Sequence, residues 1–109
     1  MKYFVFEYQR RGSCYHEFYK GKWDNCTHWK ADSLLLDDDY LSKDFVDAMV
    51  EIVPAYSPYG VTEISADEWK EIGNVILTKD KKSQEIYYEA NIWLDDVLKK
   101  YGCFTILGI

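Results

Sequence analysis

The stretch Val61-Thr-Glu-Ile-Ser65-Ala-Asp-Glu-Trp69 holds the end of a strand and the beginning of a helix, and that junction decides the fold class. Val61 to Ile64 reads as a short strand. Ser65-Ala66-Asp67-Glu68 is a capping box, in which the serine oxygen accepts from the N–H three residues on and the glutamate reaches back to the serine N–H. Ile64 and Trp69 occupy the two positions of a hydrophobic staple around it. These two start signals predict a helix from about residue 66 to 77, with Trp69, Ile72 and Ile76 on its apolar side.

Moving toward the C-terminus, Asp80-Lys81-Lys82-Ser83 reads as a polar turn. Beyond it, Ile86, Ala90, Trp93, Leu94, Val97, Leu98 and Tyr101 keep helical spacing over four turns. Lys99 and Lys100 complement the negative end of that helix, and Gly102 offers a left-handed cap. The closing run Cys103-Phe-Thr-Ile-Leu-Gly-Ile109 is almost wholly apolar, as expected of a strand covered on both faces in the middle of a sheet.

Moving toward the N-terminus, Pro54-Ala-Tyr-Ser-Pro-Tyr-Gly60 is a turn-rich connector. Phe45, Ala48, Met49, Ile52 and Val53 form one apolar stripe, with Ser42 as cap, Leu41 and Val46 as staple, and Pro54 as terminator. Residues 2–9 and Cys14 to Tyr19 read as strands separated by the turn Arg10-Arg11-Gly12-Ser13, with a third strand within Cys26 to Leu36. On the second strand Tyr15, Glu17 and Tyr19 share one face, and Cys14, His16 and Phe18 the other. The sum is one α+β domain over residues 1–109. An N-terminal antiparallel β-meander carries three helices packed on one side, and the C-terminal strand returns to the sheet centre.

Charge is distributed very unevenly. Asp32 to Glu71 holds eleven acids against Lys43 and Lys70, a local charge of −9, whereas residues 1–31 carry +3 and residues 72–109 are balanced. Such a segment projects a negative field that attracts basic surfaces and repels nucleic acid and anionic lipid. Asp44, Asp47 and Glu51 recur at three- and four-residue steps, which sets one acidic ridge along the exposed side of the first helix. Aromatic residues are abundant, with ten Tyr, five Phe and four Trp. Tyr and Trp combine large burial with a polar handle, and they suit protein interfaces as well as cores. Glu7 interrupts the N-terminal apolar run too early for a signal peptide, and no stretch reaches membrane-spanning length. Cys14, Cys26 and Cys103 make an odd count, so reduced thiols in a cytoplasmic protein are expected.

Nucleotide-binding glycine loops, HExxH and GxSxG are absent, and the two histidines restrict acid–base chemistry at neutral pH. Neither catalysis nor a cofactor is expected. One constellation resembles a zinc site: Cys14-x-His16 with Cys26-x-His28. Two strands pairing about Gly21 would set Cys14 opposite His28 and His16 opposite Cys26, giving two sulfurs and two imidazoles. The one-residue spacers are shorter than usual for zinc, and a turn at Asp24-Asn25 would break the register. The alternative is a hairpin with two partly buried thiols and two hydrogen-bonded histidines. Asp37-Asp38-Asp39 lacks the alternating acids and central glycine of a calcium loop. It reads as a solvated helix start or, with Tyr40, Tyr56 and Tyr59 nearby, as part of a binding surface. Tyr56 and Tyr59 either cover a core edge beneath their loop or anchor a partner from a rigid loop tip.

The strings Tyr59-Gly-Val-Thr-Glu-Ile-Ser-Ala-Asp-Glu-Trp69, Trp93-Leu-Asp-Asp-Val97 and Phe104-Thr-Ile-Leu-Gly-Ile109 resemble small immunity proteins of bacterial polymorphic-toxin systems, contact-dependent growth inhibition among them. The resemblance spans the second half of the chain. It implies a cytosolic protein that binds one cognate toxin domain, often a basic nuclease, and blocks it by occlusion without an active site of its own. The acidic surface fits that expectation, with Asp37, Asp38, Asp39, Asp44, Asp47 and Glu51 meeting lysines and arginines and with Tyr56 and Tyr59 as anchors. No nucleic acid or membrane is expected as a partner. From a different class, a small cytosolic ligand-binding protein or enzyme would hold its site between the meander and the helices.

Overall fold

Ser65 ends a strand and starts a helix at one residue. Its hydroxyl accepts from the Glu68 N–H at 3.1 Å while the Glu68 carboxylate accepts from the Ser65 N–H at 2.8 Å. The computed structural model describes all of residues 1–109. Strands β1 (Phe4–Val5), β2 (Tyr15–Lys20), β3 (Leu34–Asp37), β4 (Val61–Ser65) and β5 (Cys103–Leu107) form one antiparallel sheet, ordered β1-β3-β2-β5-β4. Helices α1 (Lys43–Ile52), α2 (Ala66–Ile76) and α3 (Lys81–Tyr101) complete an α+β domain.

The helices cover one face of the sheet. Register sets Phe4 and His16 opposite Leu36, Phe18 opposite Leu34 and Ile106, and Ile64 opposite Phe104, so these side chains point the same way. With the exception of His16, they join one core with Phe45, Met49, Trp69, Ile72, Ile86 and Leu94 from the three helices. Phe104 stacks on Phe18 at 5.4 Å between ring centroids and meets the edge of Trp69 at 5.3 Å. Burying each such side chain is worth roughly 1.5–3 kcal/mol. All five residues of β5 are buried, because β2 and β4 flank it and both of its faces are covered.

The opposite face carries Tyr15, Glu17, Tyr19 and Thr105, and it is covered by the segment 21–33 between β2 and β3. The Thr105 hydroxyl donates to the Gly21 carbonyl at 2.8 Å, the Tyr15 ring meets Trp29 edge-on, and Lys30 lies over Tyr19. This strap accounts for a departure from expectation. The third predicted strand within residues 26–36 is confined to its apolar end at Leu34–Asp37, and the residues before it cross the sheet rather than extend it. The first predicted strand, 2–9, contracts to Phe4–Val5. The Gln9 side chain accepts from the Phe6 N–H at 3.1 Å and folds residues 7–9 into a 3-10 turn. Within the meander β1 pairs with β3, not with β2.

The helix boundaries follow their caps. Ser42 accepts from the Phe45 N–H at 3.2 Å to start α1. Asp80 caps α3, which draws Lys81, Lys82 and Ser83 into its first turn instead of a separate polar turn. Gly102 ends α3 at φ 75°, a backbone conformation that costs glycine little. No helix is long and apolar enough to cross a membrane.

Candidate functional site

Asp37 closes β3 and caps a 3-10 turn over Asp38–Tyr40, its carboxylate accepting from the Asp39 N–H at 2.9 Å. Acids suit this position because the first N–H groups of a turn are unsatisfied and partly positive. Asp38 reaches back to β2, where its Oδ1 lies 2.8 Å from Nε2 of His16. His16 is buried, while half of the Asp38 side chain remains in solvent. One residue after this turn, Ser42 begins α1 and the acidic residues continue along it. Asp44, Asp47 and Glu51 lie on one stripe roughly 10 Å long, given a rise of about 1.5 Å per residue.

The electrostatic quality of this flank depends on how many of its charges are already neutralised. Asp47 pairs with Lys43 at 2.8 Å, whereas Asp38 meets His16 through a hydrogen bond. Asp39, Asp44 and Glu51 form no ion pair within the protein. The Lys43–Asp47 pair is largely solvated and contributes little to stability. Lys82 at the start of α3 lies over the Tyr40 ring at 5.3 Å and bounds the flank on that side.

The two candidate anchors separate. Tyr56 is only 6% exposed and belongs to the core, so the core-edge reading holds and it does not contact a partner from the surface. Burial, with a smaller effect of the Asp38 charge, pushes its phenol far above the usual tyrosine range. Tyr59 is 80% exposed. Its loop is pinned on both sides: Gly108 N–H donates to the Gly60 carbonyl at 2.8 Å, and Ile109 N–H donates to the Pro58 carbonyl at 2.9 Å. The loop tip is therefore held against the C-terminal strand, and little order has to be gained on docking. Tyr59 leads directly into β4, where Glu63 is exposed, and Asp67 follows in the first turn of α2.

The zinc constellation does not assemble. β2 pairs with β3 so that His16 faces Leu36, not Cys26, and the expected hairpin about Gly21 is absent. Asp24 is the cause. Its carboxylate accepts from the N–H groups of Cys26 at 2.9 Å and Thr27 at 2.7 Å, forming a turn that takes the chain out of register. Cys14, Cys26 and His28 are exposed, whereas His16 points into the helix side of the sheet. Between meander and helices the core is filled, and at its margin a pocket of about 230 Å³ lies where Lys20 at the end of β2 meets Trp93, Val97 and Tyr101 of α3.

One surface escaped the sequence reading. Between α2 and α3 runs an open groove of about 440 Å³ whose lining includes Trp69, Tyr87, Tyr88 and Ile92. Ile92 is 81% exposed and Tyr88 is 54% exposed. Both stand off the apolar stripe of α3, which was the available signal. Trp69 itself is buried, its indole donating to Asn91 Oδ1 at 2.7 Å. Comparison with protein-family models, with curated proteins and with solved structures gives no match, so this chain's own geometry carries the functional argument.

Proposed function

We propose that this protein is a stoichiometric inhibitor, an immunity protein that neutralises a cationic toxin domain of the basic-nuclease kind by covering it. The observation that carries the reading is the acidic flank: Asp39, Asp44 and Glu51 stand without internal counter-ions beside Asp38 and Asp47. A surface that binds nucleic-acid phosphates is necessarily basic, and an acidic protein surface competes for the same groove. Unpaired carboxylates accelerate encounter and penalise wrong partners, and an exposed aromatic such as Tyr59 adds strength once water is excluded. Occlusion of this kind requires no catalytic residue and no cofactor.

Co-expression with a candidate cationic toxin domain tests the proposal. Cells carrying both should survive, and cells carrying the toxin alone should not. Death of both would sink it.

The α2/α3 groove favours a second reading, a small ligand-binding protein or enzyme, since the exposed side chains of Tyr88 and Ile92 in its lining offer apolar surface to a small organic molecule. A compound that raises Tm through this groove, with no toxin neutralised, would select it.

A further inference from the structure

The sheet is unprotected at one end. β1, at the far edge, is two residues long and runs into a 3-10 turn, whereas β4 offers five residues of edge backbone with no strand beyond it. Which groups point outward follows from the register. Gly108 N–H bonds the Gly60 carbonyl and Ala66 N–H bonds the Gly102 carbonyl, so the even-numbered residues of this segment exchange hydrogen bonds with β5. In an antiparallel pair the alternate residues then face away. Val61 and Glu63 present free N–H and C=O groups to solvent. At Ser65 the N–H is held by Glu68 and the carbonyl faces the first turn of α2 as its N-cap, so the open edge ends at Glu63.

We propose that this edge receives an extended segment of a cationic protein partner as a sixth strand, with a lysine or arginine set across from Glu63. The identity of the partner rests on the inhibitor reading above. Main-chain hydrogen bonds to Val61 and Glu63 would supply affinity, and the exposed side chains of Val61 and Glu63 would select what lies opposite. Charge complementarity decides between occupants. Full antiparallel self-pairing of β4 about Glu63 would set the two Glu63 carboxylates face to face, which is destabilising, whereas a basic residue there is favourable. Continuity with the rest of the surface supports the same occupant: Tyr59, pinned and exposed, stands two residues before the edge begins, and exposed Asp67 lies just beyond its end.

The test uses capped heptapeptides that alternate threonine and valine around a central lysine or a central glutamate, titrated into the full chain. Amide hydrogen exchange and NMR shifts at Val61 and Glu63 are the readout. The lysine peptide should protect both amides and bind about fivefold more tightly than its glutamate twin. Glu63→Lys should invert that preference. Val61→Pro removes an outward N–H without touching the ladder to β5, so binding should be lost with Tm preserved. If that variant does not fold, the Glu63→Lys inversion decides alone. Equal binding of the two peptides, or no protection at either amide, overturns the proposal. Protection without peptide, together with a dimer in sedimentation, also overturns it and assigns the edge to a second copy. The survival assay is independent: rescue without peptide binding removes strand addition and leaves the inhibitor, and peptide binding without rescue does the reverse.

Discussion

The Glu17 carboxylate, buried in the middle of β2, accepts from the backbone N–H of Trp29 at 2.7 Å, and its second oxygen accepts from the Lys30 N–H at 3.1 Å. A charged side chain thus fastens the strap 21–33 across the sheet. The strap in turn shields this carboxylate from water, and Trp29, at φ 58°, supplies the bend that aims its N–H inward. Glu17→Gln keeps the shape but turns an NH₂ toward one of these donors. Stability should fall by about 1–3 kcal/mol, read by denaturant unfolding. An unchanged midpoint would mean that the strap is held elsewhere.

Gly73 is required by Tyr87. A Cβ at residue 73 would overlap the Tyr87 ring, whose hydroxyl donates to the Trp69 carbonyl at 3.1 Å and whose face stacks on Trp69 at 4.5 Å. Gly73→Ala should therefore lower stability by about 1–3 kcal/mol although alanine is the better helix former. In a Tyr87→Ala background the same change should become stabilising, by up to about 1 kcal/mol. Additive effects in that double-mutant cycle would refute the packing argument.

Asp24 organises the strap's first turn, and its titration is a direct probe of that turn. Hydrogen bonds from the Thr27 hydroxyl, then from the backbone N–H groups of Thr27 and Cys26, lower its carboxyl from 3.8 to about 2. A folded-state value below the unfolded one means that the turn gains stability above the unfolded value and loses it as pH falls toward the folded one. The Thr27 amide resonance should hold its folded position at pH 4 and titrate with a midpoint near 2. A midpoint near 3.8 would show that the turn does not form.

Much of this architecture was legible in short local signals. Ser42, the Ser65/Glu68 pair and Gly102 each act within one helical turn, and each operates as its residue type suggests. The apolar run at Cys103–Leu107 announced a strand buried on both faces. What local reading could not supply was pairing at a distance. Leu34–Asp37 joins β2 only after a detour fixed by Asp24 and Glu17, whose partners are backbone amides that no side-chain pattern reveals. The candidate surface divided on the same principle. Asp44, Asp47 and Glu51 share a stripe by helical spacing alone, whereas Tyr56 and Tyr59, three residues apart in one loop, differ in burial because only Tyr56 turns into the core.

Charge reversal on the acidic stripe separates electrostatic docking from simple solubility. Asp44→Lys with Asp47→Lys leaves the core untouched and removes one solvated pair, so stability should change by no more than about 1 kcal/mol.

Stopped-flow association of that double variant with a cationic toxin domain against which the unaltered chain protects cells, compared with the unaltered chain at about 10 mM and about 150 mM salt, measures the docking field itself. Docking through the acidic flank requires slower association for the variant, by roughly tenfold or more in dilute salt, with the gap narrowing as salt rises. Equal rates for the two proteins at both salt concentrations would contradict it.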